Sequence, residues 1–337
     1  MTGEIWLRFV SGPDVDALAI TPAEVVDAVA GVVAAHGRGE TVFEPRTHLE
    51  PDNDGRGHFN VLRGHVSSLG EHGTSGVKVV GDFYTNYRVG LPSELALLTL
   101  YDAWTGIPRA IVDATWITEV RTGAMTAVGA RLLARPGSRV LGHVGARGTA
   151  YANVVMLDAL LDLDEIRVTS RRPESREAFA ERLRADLDTP VVVTESVEET
   201  LAGADVLVEA TRLTEPAPLV TTDLVAPGAF LVPYGTVSAL AADLLDVVDK
   251  VVVDDWREAQ SGRFGALRPH LDAGLVTADS LHAEIGQVAT GERPGRESDD
   301  ERILFWHRGL SILDVAVGQL VLDRAEAAGL GTMVRYR

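Results

Sequence analysis

The chain has 337 residues, 46% hydrophobic and 24% charged, enough for one large domain or two ordinary ones with ample core. A formal charge of −18 argues against a general affinity for nucleic acid, which needs a basic face, and the absence of cysteine excludes disulfides, thiolate nucleophiles and cysteine-held metals. No apolar run approaches the roughly 20 residues that span a bilayer, and MTGEIWLRFV lacks a signal peptide's basic-then-apolar order, so no membrane association and a cytoplasmic location are expected.

Residues 22–35 predict a helix, with Thr21 as N-cap and Pro22 at the first helical position. The segments 41–48, 57–64, 76–82, 95–102 and 107–113 follow; their length, alternation and glycine punctuation predict an antiparallel sheet. Residues 118–134 predict a long alanine-rich helix, closed by Arg135-Pro136-Gly137.

Next comes a strand over 140–144, a turn Gly145-Ala146-Arg147-Gly148, a helix over 149–163 and a second strand over 165–169. This is the order of a βαβ unit that sets a dinucleotide pyrophosphate at a helix N-terminus, where amide N–H groups and the helix dipole favour an anion. The turn departs from the usual glycine fingerprint: Arg147 takes the second glycine's place, Gly148 follows, and Ala150 stands at the helix-packing position. Alone, the turn favours cofactor binding over its alternative, a tight strand-to-helix turn in another α/β domain. The second strand ends in Ser170-Arg171-Arg172, without the acid that holds a ribose 2′-hydroxyl in NAD sites. Arginine there accommodates a 2′-phosphate, so NADP(H) is expected and NAD(H) is the second choice. The alternative for Arg171 and Arg172 is a solvated pair on a loop.

Beyond Arg172, a helix over 175–187, strand 191–194, helix 197–201 and strands 205–210, 229–234 and 250–254 continue the alternation. This predicts a mostly parallel sheet with helices on both faces. Residues 262–295 read as loops with one short helix, and 300–328 as helical, packing back on the first domain. The expected fold is therefore α/β: a Rossmann-like doubly wound parallel sheet over 119–309, inserted into a mixed α+β domain of 1–118 plus 310–337. The histidines show no metal-ligand spacing, and no metal is expected.

Several segments occur in order over nearly the whole chain: Gly76-Val77-Lys78, Asn86 with Gly90-Leu91-Pro92, TEVRTGAMT at 118–126, the βαβ turn, Gly309-Leu310 through Asp314, and Gly329-Leu330-Gly331-Thr332. Together they resemble the ornithine cyclodeaminase/mu-crystallin family. The resemblance implies that the outer domain binds substrate and forms a homodimer, and that the substrate is a small α-amino or α-imino acid. It puts Arg46, Lys78 and Arg121 where the family's cations hold the substrate carboxylate, a role suited to a planar guanidinium fork and a lysine point charge. His48, two residues from Arg46 on the same face of an extended strand, lines that site. The expected cofactor set is Thr122, Gly145, Ala146, Arg147, Gly148, Thr149, Ser170, Arg171, Arg172, Thr211 and Tyr234.

One departure bears on the chemistry. Family cyclodeaminases carry a catalytic aspartate after the strand read here at 229–234, but this chain has Tyr234-Gly235-Thr236-Val237-Ser238, with no acid until Asp243. Glu209, at the end of DVLVEA, can substitute as the acid or base, or be satisfied by a neighbour such as Arg212. His307 is either a proton donor near neutrality or a structural histidine at a helix start. The expected activity is an NADP(H)-dependent imine reductase or amino acid dehydrogenase, with Lys78, Glu209 and His307 as its catalytic candidates. The alternatives are an NAD-dependent cyclodeaminase-type ammonia lyase, which the missing aspartate disfavours, and a crystallin-like binding protein without turnover.

Overall fold

The computed structural model describes residues 3–83, 85–262 and 264–337, which fall into two compact units, Met1–Arg121 with Gly309–Arg337 and Thr122–Arg308. The first unit runs β1 (Trp6–Val10), α1 (Gly12–Ala17), α2 (Pro22–Gly37), β2 (Thr41–Leu49), β3 (His58–Val66), β4 (Thr74–Asp82), β5 (Glu94–Asp102) and β6 (Pro108–Asp113). Helix α3 (Thr115–Leu133) leads from the first unit into the second. There follow β7 (Val140–Val144), α4 (Ala150–Leu160), β8 (Glu165–Thr169), α5 (Pro173–Asp186), β9 (Val191–Val193), α6 (Val197–Leu201), β10 (Val206–Glu209) and β11 (Phe230–Pro233). The second unit closes with β12 (Lys250–Val253), α7 (Trp256–Gln260), α8 (Arg268–Asp272), β13 (Ala283–Glu284), α9 (Ile285–Ala289) and β14 (Ile303–Trp306). The chain then returns to the first unit as α10 (Ser311–Ala328) and β15 (Thr332–Arg335).

Among the described residues the first unit holds a seven-stranded sheet, in the order β15-β1-β6-β5-β4-β3-β2. From β2 to β6 it is antiparallel, as the segments 41–48 to 107–113 predict; β1, parallel to β6, and β15, antiparallel to β1, extend it. Helix α2 starts at a capping box in which Glu24 and Thr21 bond reciprocally, and it buries Val25, Val29 and Val33. Helix α10 is buried along most of its length and packs on α2 and on the inner face of β3, β4 and β5. Glycine allows the close fit: a Cβ on Gly76 would come 2.8 Å from Val315 Cγ2, and one on Gly318 would run into Leu98. Fully burying side chains such as Leu98 and Leu100 is worth about 2 kcal/mol each, which seats this helix although it carries a charged residue, Asp314, on its buried surface.

The second unit is a parallel sheet in the order β13-β12-β14-β11-β10-β7-β8-β9. Its strands VLVE, FLVP and ILFW are buried throughout, as a sheet covered on both faces requires. From β7 the chain passes to β8 and β9 on one side, then returns to β10 on the other. Sheets of this kind bind ligands beyond the carboxyl ends of the two strands where the order reverses, here β7 and β10.

The expectation of one helical stretch over 300–328 fails. Residues 303–306 are strand β14, hydrogen-bonded between β11 and β12, and the helix starts only at Ser311. The region 262–295 holds two short helices and a two-residue strand among its described residues, rather than one helix in loops. No helix among the described residues is long and apolar enough to cross a membrane.

Candidate active site

In the first unit the predicted cations gather at the start of α10. Lys78 projects from the middle of β4 toward α10, because Leu62 and Leu98, its cross-strand partners, share that buried face. Its side chain is 1% exposed. Lys78 Nζ lies 2.5 Å from Asp314 Oδ1 and donates to Thr118 Oγ1 at 3.1 Å, while that hydroxyl donates to the Ala114 carbonyl at 2.8 Å. Burial brings the lysine down to about 8, with the adjacent Arg121 acting in the same direction and the Asp314 carboxylate opposing both.

Arg121, one turn along α3 from Thr118, brings Nε to 3.2 Å from the same Asp314 oxygen, an ion pair without aligned hydrogen-bond geometry. Its guanidinium occupies the space a side chain at residue 309 would need, so Gly309, at φ +83°, has to be glycine. Arg46 Nη2 donates to the Gly309 carbonyl at 3.0 Å. Arg46, Lys78 and Arg121 thus converge on the segment 309–314. His48, exposed on β2, stands opposite Asn60, and its ring lies 5.5 Å from that of His58.

Asp314 is the residue that sequence reasoning did not place in the site. It is 1% exposed, and its Oδ2 has no hydrogen-bond partner among the described residues. Its signal was an aspartate inside the apolar run SILDVAVG, since a buried acid implies a partner.

In the second unit the expected cofactor residues lie at the ends of β7, β8, β10 and β11, except Thr122, which lies on α3. The turn after β7 places Gly145 at φ +116°, where a Cβ would lie 2.7 Å from the Ala210 carbonyl oxygen, and Gly148 at φ +58° with open space around it. Helix α4 then begins without a side-chain cap, leaving first-turn N–H groups available to an anion. The Thr149 hydroxyl does not cap it but donates to Tyr234 Oη at 3.2 Å. Ala146 is half-buried and Arg147 is exposed on the turn. His143, buried beneath the turn, pairs Nδ1 with the Gly145 carbonyl at 3.0 Å; burial drops it to about 4, so it is neutral and donates this bond. Ser170 donates to the Arg172 carbonyl at 3.2 Å, and Arg171 and Arg172 are exposed at the entry to α5, which also lacks a side-chain cap. These features fit a dinucleotide: glycine where backbone must approach, an uncapped helix start, and arginines at the second strand's tip.

Glu209 ends β10 at the point of strand reversal, opposite Val144 on one side and Pro233 on the other. It is fully buried. Oε1 accepts from the Thr211 amide at 2.7 Å and hydroxyl at 2.5 Å, so the neighbour that satisfies that oxygen is Thr211. Oε2 has no hydrogen-bond partner among the described residues. Burial raises this carboxyl to about 7, against the Thr211 donors and the nearby Gly235 amide. A Cβ on Gly235 would sit 2.6 Å from Oε2, so glycine there leaves the carboxyl its room.

The Tyr234 amide donates to the Glu209 carbonyl at 2.9 Å, and its ring stacks on His307 at 5.5 Å. His307 follows strand β14 rather than opening a helix; its Nε2 lies 2.9 Å from Thr126 Oγ1, one turn from Thr122 on α3. Among the described residues, no group of three or more acids and histidines is placed to hold a metal.

A family model described as the ornithine cyclodeaminase/mu-crystallin family matches residues 11–329. The alanine dehydrogenase of Archaeoglobus fulgidus is 29% identical over 320 residues, 94% of this chain and 95% of that protein. The Delta(1)-pyrroline-2-carboxylate reductase of Thermococcus litoralis, solved with NADH and L-proline, superposes with a TM-score of 0.89 at 27% identity, covering 97% of this chain and 99% of that one. An archaeal alanine dehydrogenase dimer with bound NAD superposes at 0.88 and 28% identity, covering 99% and 100%.

Proposed function

This chain belongs to the ornithine cyclodeaminase/mu-crystallin family, and we propose that it is an NADP(H)-dependent oxidoreductase interconverting a small α-imino acid and the corresponding α-amino acid. The observation that carries this reading is the gathering of Arg46, Lys78 and Arg121 around residues 309–314, with one buried carboxylate between two of the three cations. Lys78 and Arg121 are two buried cations on one carboxylate, which is costly unless an anion arrives, and a substrate carboxylate supplies it. The relatives named for alanine and for pyrroline-2-carboxylate support a small amino or imino acid at that place.

When bound, the nicotinamide supplies or takes up the hydride that converts imine to amine or the reverse. Gly145, Ala146, Gly148 and the start of α4 would receive the pyrophosphate with Arg147 beside it; Thr122, Thr211 and Tyr234 would border the cofactor. Ser170, Arg171 and Arg172 would hold a 2′-phosphate, which is why NADP(H) is preferred although the two solved relatives above carry NADH and NAD.

The chain's own residues divide the remaining work. Arg46, Lys78 and Arg121 hold and orient the carboxylate, and His48 borders them. Glu209 is the proposed proton-exchanging group: near pH 7 it is divided between acid and carboxylate, as a group that gives a proton in one direction and takes it in the other requires. It does from β10 what the family's aspartate does from the segment after the next strand, and Gly235 leaves it room. His307, engaged by Thr126 and stacked on Tyr234, enters as a positioning group.

The reading includes a second copy of the chain. Val61, Val79 and Leu97 stand side by side across β3, β4 and β5 on the face opposite Lys78, and Val79 and Leu97 are 42% and 53% exposed. An isologous partner on this row, as in a homodimer, would cover it. The activity is tested by following nicotinamide absorbance with pyrroline-2-carboxylate, piperideine-2-carboxylate and 2-oxo acids plus amines. Consumption of NADPH with at least one of them is expected. Ammonia release from ornithine with no net cofactor change would assign the lyase reaction instead.

A further inference from the structure

We propose that Asp314 is the positioning residue of the carboxylate site: from α10 it holds Lys78 and Arg121 on a single oxygen and aims both cations at the substrate. The inference rests on the proposed function for its substrate, but its geometry stands by itself. Lys78 Nζ is 2.5 Å and Arg121 Nε 3.2 Å from Asp314 Oδ1, and all three side chains are less than a tenth exposed. The two cations come from different elements, β4 and α3, and would repel each other without the acid; Arg121 is indeed one of the influences that weaken the lysine's hold on its proton.

Charge counting gives the acid its meaning. With no carboxylate the pair could not be kept buried, and with two it would be neutral and indifferent to a ligand. Within this buried trio one carboxylate for two cations leaves a single positive charge, which attracts a carboxylate; Arg46 and Glu94 lie outside the trio. The donors support the same reading. An ammonium has three protons, of which Asp314 and Thr118 take two, leaving one for a ligand. The groups facing Lys78 are Asp314 from α10, Arg121 and the Thr118 hydroxyl from α3, Glu94 from β5, and apolar Leu62 and Leu98 across the sheet. Asp314 is the acid within ion-pair distance of both cations.

The sequence offers a direct reporter, because the chain has only two lysines, Lys78 and Lys250. Protein labelled with ε-13C-lysine gives two signals, and Lys250→Arg assigns them. In the wild type the Lys78 signal should titrate near 8; in Asp314→Asn the midpoint should move to lower pH, and in Asp314→Glu it should return most of the way. L-Proline should shift the Lys78 signal in the wild type and not in Asp314→Asn. With a turned-over substrate, Asp314→Asn should raise KM at least ~10-fold while changing kcat less than ~3-fold, as loss of a ground-state binding contact does.

An unmoved Lys78 midpoint in Asp314→Asn, or a moved midpoint with unchanged KM and unchanged proline response, overturns the proposal. Retained cofactor binding shows that the variant folds. Should Asp314→Asn not fold, Thr118→Val is read instead: with Asp314 in place the Lys78 midpoint stays close to wild type, and a collapse there also overturns it. If no amino or imino acid is turned over by the wild type, the activity reading fails, while the lysine titration still decides the role of Asp314.

Discussion

Glu209→Gln separates the cost of a buried acid from its use. Burial moves this carboxyl from its ordinary 4.5 to about 7, and each tenfold change in proton affinity is worth about 1.4 kcal/mol, so the displacement amounts to about 3 kcal/mol. The sign follows from linkage. The unfolded chain releases the proton near 4.5 and the folded one near 7, so the associated stability is present below 4.5 and is lost as pH rises to about 7. Glutamine has the same shape and does not titrate. Urea unfolding of wild type and variant at pH 5 and at pH 8 should therefore show the variant gaining about 2.5 kcal/mol on the wild type between the two pH values, the remainder being lost already below pH 5. The same variant should lose a factor of about 10² to 10⁴ in kcat, the usual contribution of a positioned acid or base. A variant both more stable at pH 8 and nearly inactive would mark Glu209 as kept for chemistry. Parallel stability curves would refute the reasoning, because the protein would not then be holding that proton.

Three further outcomes follow. Lys78→Met should abolish turnover and leave cofactor binding intact by fluorescence titration; in the wild type, kcat/KM should fall as pH rises through about 8, where the lysine loses its charge. NADPH should bind more tightly than NADH, and the Arg171→Ala, Arg172→Ala double variant should lose about tenfold or more for NADPH alone, the worth of one or two charge-assisted contacts; equal affinities would refute the reading of that tip. Leu97→Asp, placing a charge in the exposed row beside Val79, should convert a dimer to monomer in light scattering, and a wild-type monomer would contradict the paired face.

Local patterns carried most of the architecture. The glycine turn after 140–144, the apolar strands with helices between them and the Thr21 cap all announced themselves, because each depends on residues close in the chain. Strand β14 did not. Ile303-Leu304-Phe305-Trp306 is a short apolar run just ahead of a long apolar helix, and periodicity cannot divide strand from helix over four residues. The pairing of β1 with β15 joins the two ends of the sequence, beyond the reach of any local signal. The site divides in the same way. Glu209 was visible as an acid closing an apolar strand, whereas Asp314 acquires its role only when α10 is laid on β4, bringing residues 78, 121 and 314 together. Arg212 was a reasonable partner for Glu209 on proximity in sequence, but the backbone turn delivers the Thr211 amide and hydroxyl to that oxygen first.

Net redox conversion of an imino acid leaves a stoichiometric signature that a lyase does not. Purified protein would be incubated with NADPH and 1-pyrroline-2-carboxylate, and cofactor oxidised, proline formed and ammonia released would be measured in the same sample. One proline per NADPH oxidised and no ammonia are expected, with the rate falling as pH rises through about 7, where Glu209 gives up its proton. No NADPH oxidised with the imino acid, while a parallel sample with ornithine and NAD yields ammonia and proline with the cofactor unchanged, would contradict it.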